Sequence, residues 1–167
     1  MASEHRRGIT FFRADASRTL DEEGMMTAAR LDPSIYEELD LSPILGGSDV
    51  RVLYRGDQPD SFSLVHAKFQ PGYRLPRHTH SSDCLYFVLS GEAIMGNRVI
   101  HAGDGFFVKS GSPYAYAAGE QGVEVLEFRA STRFDIQVLD QTVERWRPIV
   151  DAAVANRNSW SLPEVEG

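Results

Sequence analysis

From residue 50 onward the chain alternates short apolar runs with turn residues. Runs rich in β-branched and aromatic side chains fall at 50–55, 62–69, 85–89, 93–95, 98–101, 106–108, 114–117, 123–128 and 134–139. Between them stand Gly56-Asp57, Pro71-Gly72, Ser90-Gly91, Gly96-Asn97, Gly103-Asp104-Gly105, Ser110-Gly111-Ser112-Pro113 and Gly119. Many short strands at near-regular spacing, punctuated by Gly and Pro, predict an all-β sandwich or barrel. Gly96-Asn97, flanked by apolar residues, predicts a two-residue hairpin turn.

The flanks follow other patterns. Asp21-Glu22-Glu23 reads as a helix start running into Met25, Met26, Ala28 and Ala29. Asp32-Pro33 opens a second short turn or helix with Ile35, Tyr36 and Leu39, and Gly46-Gly47 breaks it. After residue 138 the apolar period lengthens: Leu139, Val143, Trp146, Ile149 and Ala153 recur every three to four residues. That spacing predicts one amphipathic helix packed outside the barrel, with Asp140 as its N-cap. Trp160 and Leu162 are the residues able to dock the tail. The chain therefore divides into an arm with short helices (1–49), a barrel (50–138), and a C-terminal helix and tail (139–167).

Composition narrows the function classes. A chain of 167 residues fits one domain with an arm or two. Its net charge of −7 disfavours nucleic acid as a partner. A single cysteine, Cys84, forbids an internal disulfide, which fits a reducing compartment. The apolar run at 85–89 is far too short to span a bilayer, so no membrane partner is expected. The first thirteen residues hold no apolar stretch of the kind a secretory signal needs. A cytoplasmic location is the expectation.

The candidate chemistry sits at His78-Thr79-His80. Side chains two apart on a strand share a face, roughly 6.6 Å apart along it. Two imidazoles so placed can converge on a metal ion or on another ligand, and the pair alone leaves both open. Its surroundings add more. Gly72 is followed by five residues, then His78 and His80, then three residues to Cys84, then six to Gly91. This spacing resembles the first motif of the cupins, which has glutamate where Cys84 stands. A degenerate second motif follows: Gly103-Asp104 and Gly111 are in place, while Lys109, Tyr114 and Ala118 replace proline, histidine and asparagine. The resemblance covers roughly residues 50–130.

The resemblance implies a cupin-type double-stranded β-helix, a jelly-roll barrel. It also implies a pocket for a small-molecule ligand and one divalent metal ion (Fe, Ni, Zn or Mn) held by His78 and His80. On that reading the protein is a metal-dependent oxygenase, isomerase or lyase acting on a small organic substrate, oxidoreductase chemistry included. The alternative is a metal-free ligand-binding or sensor cupin. Cys84 and Tyr114 occupy the other two ligand positions and are the candidate catalytic residues, as ligands or as pocket lining. In cysteine dioxygenases, also cupins, the glutamate position is a cysteine linked to a nearby tyrosine. Strand parity puts Tyr86 and Tyr116 on the face of Cys84 and Tyr114.

Tyr86 and Tyr116 are the expected aromatic wall for a substrate. Arg74 is a candidate carboxylate clamp, since its planar fork matches that group. His66 is a candidate substrate contact if its strand turns it inward, and a wall residue otherwise. Which face Glu127 takes is open, while His101 and His5 read as surface residues. Cupins commonly pair, so a homodimer is expected, with residues 1–49 lending a strand to a neighbour's sheet edge.

Overall fold

The computed structural model describes residues 4–6 and 8–161. In chain order, β1 (Glu4–Arg6) and β2 (Ile9–Phe11) form a hairpin, and β3 (Arg18–Thr19) leads into α1 (Leu20–Glu23). Then come β4 (Met26–Ala28), α2 (Pro33–Glu38), β5 (Ser48–Arg55), β6 (Ser63–Phe69) and β7 (His78–Thr79). The rest are β8 (Cys84–Met95), β9 (Arg98–His101), β10 (Gly105–Val108), β11 (Ala117–Arg129), β12 (Phe134–Val138) and α3 (Val143–Asn156).

A seven-stranded sheet runs β10-β8-β11-β6-β5-β3, with β9 also paired to β8. A three-stranded sheet runs β4-β12-β7. Isolated bridges join Arg74 to Ala117 of β11 and Tyr114 to His78 of β7. This is the expected all-β jelly-roll barrel, with short N-terminal helices and one C-terminal helix. Alternation along each strand explains which face is inside. In β6, Ser63, Val65, Ala67 and Phe69 are buried, while Leu64, His66 and Lys68 face away. The main core gathers Ala67, Phe69, Cys84, Tyr86, Val88 and Val125 around Tyr114 and Tyr116. A second cluster under the arm holds Leu20, Met25, Val52, Val65 and Phe134. Ile35 of α2 packs on Trp146 and Ile149 of α3.

Several elements differ from the sequence pattern. The runs at 85–89 and 93–95 are one strand, β8, which passes straight through Ser90-Gly91. Gly91 makes this possible: its φ is +69°, and a Cβ there would sit 2.1 Å from the Gly122 carbonyl oxygen of β11. The expected strand at 114–117 shrinks to a bridge at Tyr114, and β11 begins at Ala117 with Gly119 inside it. The helix expected from Asp21 through Ala29 stops at Glu23, because Met26–Ala28 pair in parallel with Phe134, Asp135 and Ile136. Tertiary pairing overrides helix propensity there. Thr19 caps α1 with a capping box completed by Glu22.

Asp140 is not the N-cap of α3. Its carboxylate accepts the Arg77 backbone N–H at 2.8 Å, and α3 starts after Thr142. Gly96-Asn97 does form the two-residue turn, joining Met95 to Arg98. The strands of the arm pair within the chain itself: β3 with β5, and β4 with β12. Trp160 is buried and donates to the Pro71 carbonyl at 2.9 Å, whereas Leu162 lies outside the described residues. Among the described residues no helix is long and apolar enough to cross a membrane.

Candidate functional site

The His78–His80 segment is held from two sides. His78 and Tyr114 exchange backbone hydrogen bonds in both directions at 3.0 Å. On the other side, β7 pairs with β12, and the Leu139 N–H donates to the Arg77 carbonyl at 2.8 Å. This double anchoring turns both imidazoles inward, at 2% and 8% exposure, with ring centres 4.9 Å apart. Nδ1 of His78 meets the Pro76 carbonyl at 2.8 Å, and Nδ1 of His80 meets the Asp135 carbonyl at 2.5 Å. A carbonyl only accepts, so each Nδ1 carries the proton and each Nε2 keeps a lone pair. Burial lowers the pKa of His78, and that of His80 to about 4, so both are neutral at pH 7.

Four more predicted residues join them. The Tyr114 ring lies 4.4 Å from His78, and its hydroxyl is hydrogen-bonded to that of Tyr86. Tyr86 stacks on Phe106 at 4.5 Å, with Tyr116 edge-on to both. Burial raises the pKa of all three phenols, so they stay protonated. The Tyr116 hydroxyl is buried with no hydrogen-bond partner among the described residues. Cys84 is buried too, and burial pushes its thiol up to about 12, so it is not a thiolate at neutral pH.

Two residues complete the interior. Val123 and Val125 are buried, and the same parity carries Glu127 and Arg129 inward. An Arg129 Nη1 lies 2.7 Å from Glu127 Oε2, while Nη2 donates to the Tyr86 hydroxyl at 3.4 Å. The guanidinium also sits 4.0 Å above the Phe134 ring. Burial is the largest influence and works against its charge; the Glu127 carboxylate, with smaller contributions from Tyr86 and Cys84, acts the other way, and on balance the pKa of Arg129 is raised. Its Nε and Nη1 hydrogens still find no well-aligned acceptor among the described residues. Arg129 lies one residue beyond the apolar run at 123–128, so the sequence pattern does not mark it. Carrying the Val123–Val125 alternation two steps further would have found it.

Two predicted site residues stand elsewhere. His66 has the outward parity of β6 and pairs with Glu124 at 3.0 Å on the outer face, so it does not reach the histidine pair. Arg74 is exposed, since its bridge to Ala117 turns the side chain out. His101 lies on the surface beside Glu92 at 3.1 Å. The backbone of His5 lies in β1, paired with Thr10.

No family model matches this sequence, and no curated protein matches it. Solved structures do. An RmlC-like cupin from Shewanella frigidimarina aligns at a TM-score of 0.51 and 17% identity, covering 77% of this chain and 93% of that one. The polyketide cyclase RemF from Streptomyces resistomycificus aligns at 0.50 and 18%, covering 64% and 84%. The chain has the cupin fold.

In this barrel the donor set does not fit a resident metal ion. Among the described residues, no group of three His, Cys, Asp or Glu converges on a point an ion could occupy. His78 and His80 do offer Nε2 lone pairs with their Nδ1 atoms tied to carbonyls, an arrangement metal-binding histidines share. The other two ligand positions hold Cys84 and Tyr114, and the Arg129 cation stands among them. What the cluster does offer is two neutral imidazoles, two linked phenols and a buried guanidinium paired with the Glu127 carboxylate. Such donors suit an oxygen atom that carries or develops negative charge.

Proposed function

We propose that this cupin binds a small organic molecule bearing an oxygen anion, a carboxylate or enolate, inside its barrel and without a resident metal ion. The observation that supports this most is Arg129: a fully buried guanidinium, ion-paired to Glu127 through Nη1, that is also hydrogen-bonded to the Tyr86 hydroxyl and keeps a buried Nε without an acceptor among the described residues. The guanidinium and the Tyr86–Tyr114 pair would meet the anionic oxygen. His78 and His80, neutral at pH 7, would accept or donate a hydrogen bond at Nε2 and act as base where a proton must move. His80 and Tyr114, each 8% exposed, form the solvent-facing edge of the cluster, so the ligand would approach from there. This chemistry belongs to the isomerase and lyase side of the cupins.

The test pairs elemental analysis with thermal-shift screening of small carboxylic acids. Substoichiometric metal, together with a carboxylic acid that raises Tm in wild type but less in Tyr114→Phe and His80→Gln, is the expected result. Stoichiometric metal that is lost in His78→Ala, with ligand shifts seen only when metal is added, would replace this reading with the metal-dependent one.

A further inference from the structure

We infer that the Tyr116 hydroxyl is a second polar contact for the ligand, one that selects an oxo or hydroxy acid over a plain carboxylic acid or a dicarboxylate. The inference rests on the reading that the barrel binds an organic oxygen anion. Among the described residues, the buried side-chain atoms without a hydrogen-bond partner belong to Glu23, Ser82, Tyr116 and Arg129. Of these, Tyr116 and Arg129 stand in the barrel interior, at 4% and 1% exposure. A buried hydroxyl without a partner forfeits the hydrogen bonds that water gave it in the unfolded chain, and native proteins leave few groups in that state. Backbone pairing fixes where this one lies. Tyr114 exchanges hydrogen bonds with His78, and the Tyr116 carbonyl accepts the Leu75 N–H at 3.1 Å. The two rings thus share a face, roughly 6.6 Å apart along the segment, with Tyr114 beside the histidines and Tyr116 beyond them. Glu127, Tyr114, Cys84 and Arg129 all act on the Tyr116 hydroxyl, so it faces the same interior as they do.

The surroundings of that hydroxyl say what it would meet. The Tyr116 ring is edge-on to Phe69 at 5.8 Å, Phe106 at 5.9 Å and Tyr86 at 6.4 Å. A ligand whose anionic oxygen meets Arg129 and the Tyr86–Tyr114 pair would run its other end along this aromatic wall. Phe69 and Phe106 offer no hydrogen bond there, and the Arg129 charge is already matched by Glu127 at 2.7 Å. A second carboxylate at that end would be a buried charge with one phenol as its donor, which is costly. A neutral oxygen carries no such cost. A ketone accepts from the Tyr116 O–H, and a hydroxyl can accept or donate. A site with a buried polar group in place for a substrate oxygen also rejects the analogue that lacks it, because the group is then left unpaired.

Isothermal titration calorimetry on the full chain tests this with two series of acids: valerate, levulinate and glutarate, and butyrate, β-hydroxybutyrate and succinate. In wild type, levulinate or β-hydroxybutyrate is expected to bind about 10-fold tighter than its unsubstituted parent, and the dicarboxylate of the same series more weakly than either. Tyr116→Phe should erase the preference for the oxygenated acid and leave the affinity for the parent as it was. Its ligand-free Tm should equal or exceed that of wild type, since the substitution removes only an unpaired hydroxyl. Equal affinities for parent and oxygenated acid in wild type, a dicarboxylate bound tightest, or a preference kept in Tyr116→Phe overturns the inference and leaves anion binding standing. A lower Tm in Tyr116→Phe overturns it too, because the hydroxyl would then already be bonded to an ordered water. If no acid of either series binds, the anion reading fails and this inference falls with it.

Discussion

Glu127 and Arg129 stand two positions apart on β11, and their charged ends meet inside the barrel at 2.7 Å. Burying one charge alone is far costlier than burying a matched pair. Glu127→Gln is therefore expected to destabilise the protein by about 3–5 kcal/mol, measured by urea unfolding at pH 7. The double variant Glu127→Leu/Arg129→Met should recover most of that loss. A single-variant cost under about 1 kcal/mol would mean that water reaches the pair.

His80 predicts acid sensitivity. Its folded pKa of about 4 lies below the ordinary histidine value of 6.5, and His78 shifts the same way. The unfolded chain then binds more protons below pH 6.5. Stability from keeping the ring neutral is fully present above that pH and is lost as pH falls toward 4. The shift corresponds to roughly 3 kcal/mol. Urea midpoints between pH 7.5 and 4.5 should fall steeply for wild type and less for His80→Gln. Parallel profiles would contradict the assignment.

The Cys84 thiol, pushed up to about 12, should be inert in the folded protein. Iodoacetamide at neutral pH is expected to leave it unmodified under native conditions and to alkylate it fully in urea, read by intact mass. Rapid native labelling would point to a stabilised thiolate, and would restore Cys84 as a candidate nucleophile or ligand.

Gly91→Ala tests the close approach of β8 and β11. Its φ is +69°, and the added methyl would lie 2.1 Å from the Gly122 carbonyl oxygen. A loss of about 2–4 kcal/mol is expected. Gly96→Ala has a similar φ of +60° but open space around it, and should cost about 1 kcal/mol. Equal losses would show that backbone conformation alone explains Gly91.

The barrel was legible because alternation in Ser63–Phe69 and the Gly-marked turns are local signals. The inward aim of His78, Cys84, Tyr86, Tyr114 and Tyr116 followed from spacing and parity. What local pattern could not show was partnership across the chain. Met26–Ala28 looked helical until Phe134–Ile136 gave it a parallel strand to join. Asp140 looked like a cap, but Arg77, far away in sequence, claims its carboxylate. His66 has a type suited to chemistry, and only its register with Glu124 on the neighbouring strand shows that it turns away.

The histidine segment borrows much of its posture from residues that come after it. Asp135 fixes the His80 ring, Leu139 and Asp140 hold Arg77, and Trp160 pins Pro71. During translation, the strands of the large sheet all leave the ribosome before these residues emerge. The nascent barrel would thus carry its imidazoles unaimed until the last stretch of chain closes over them. Competence to bind would arrive as a late event, after the sheet is already built.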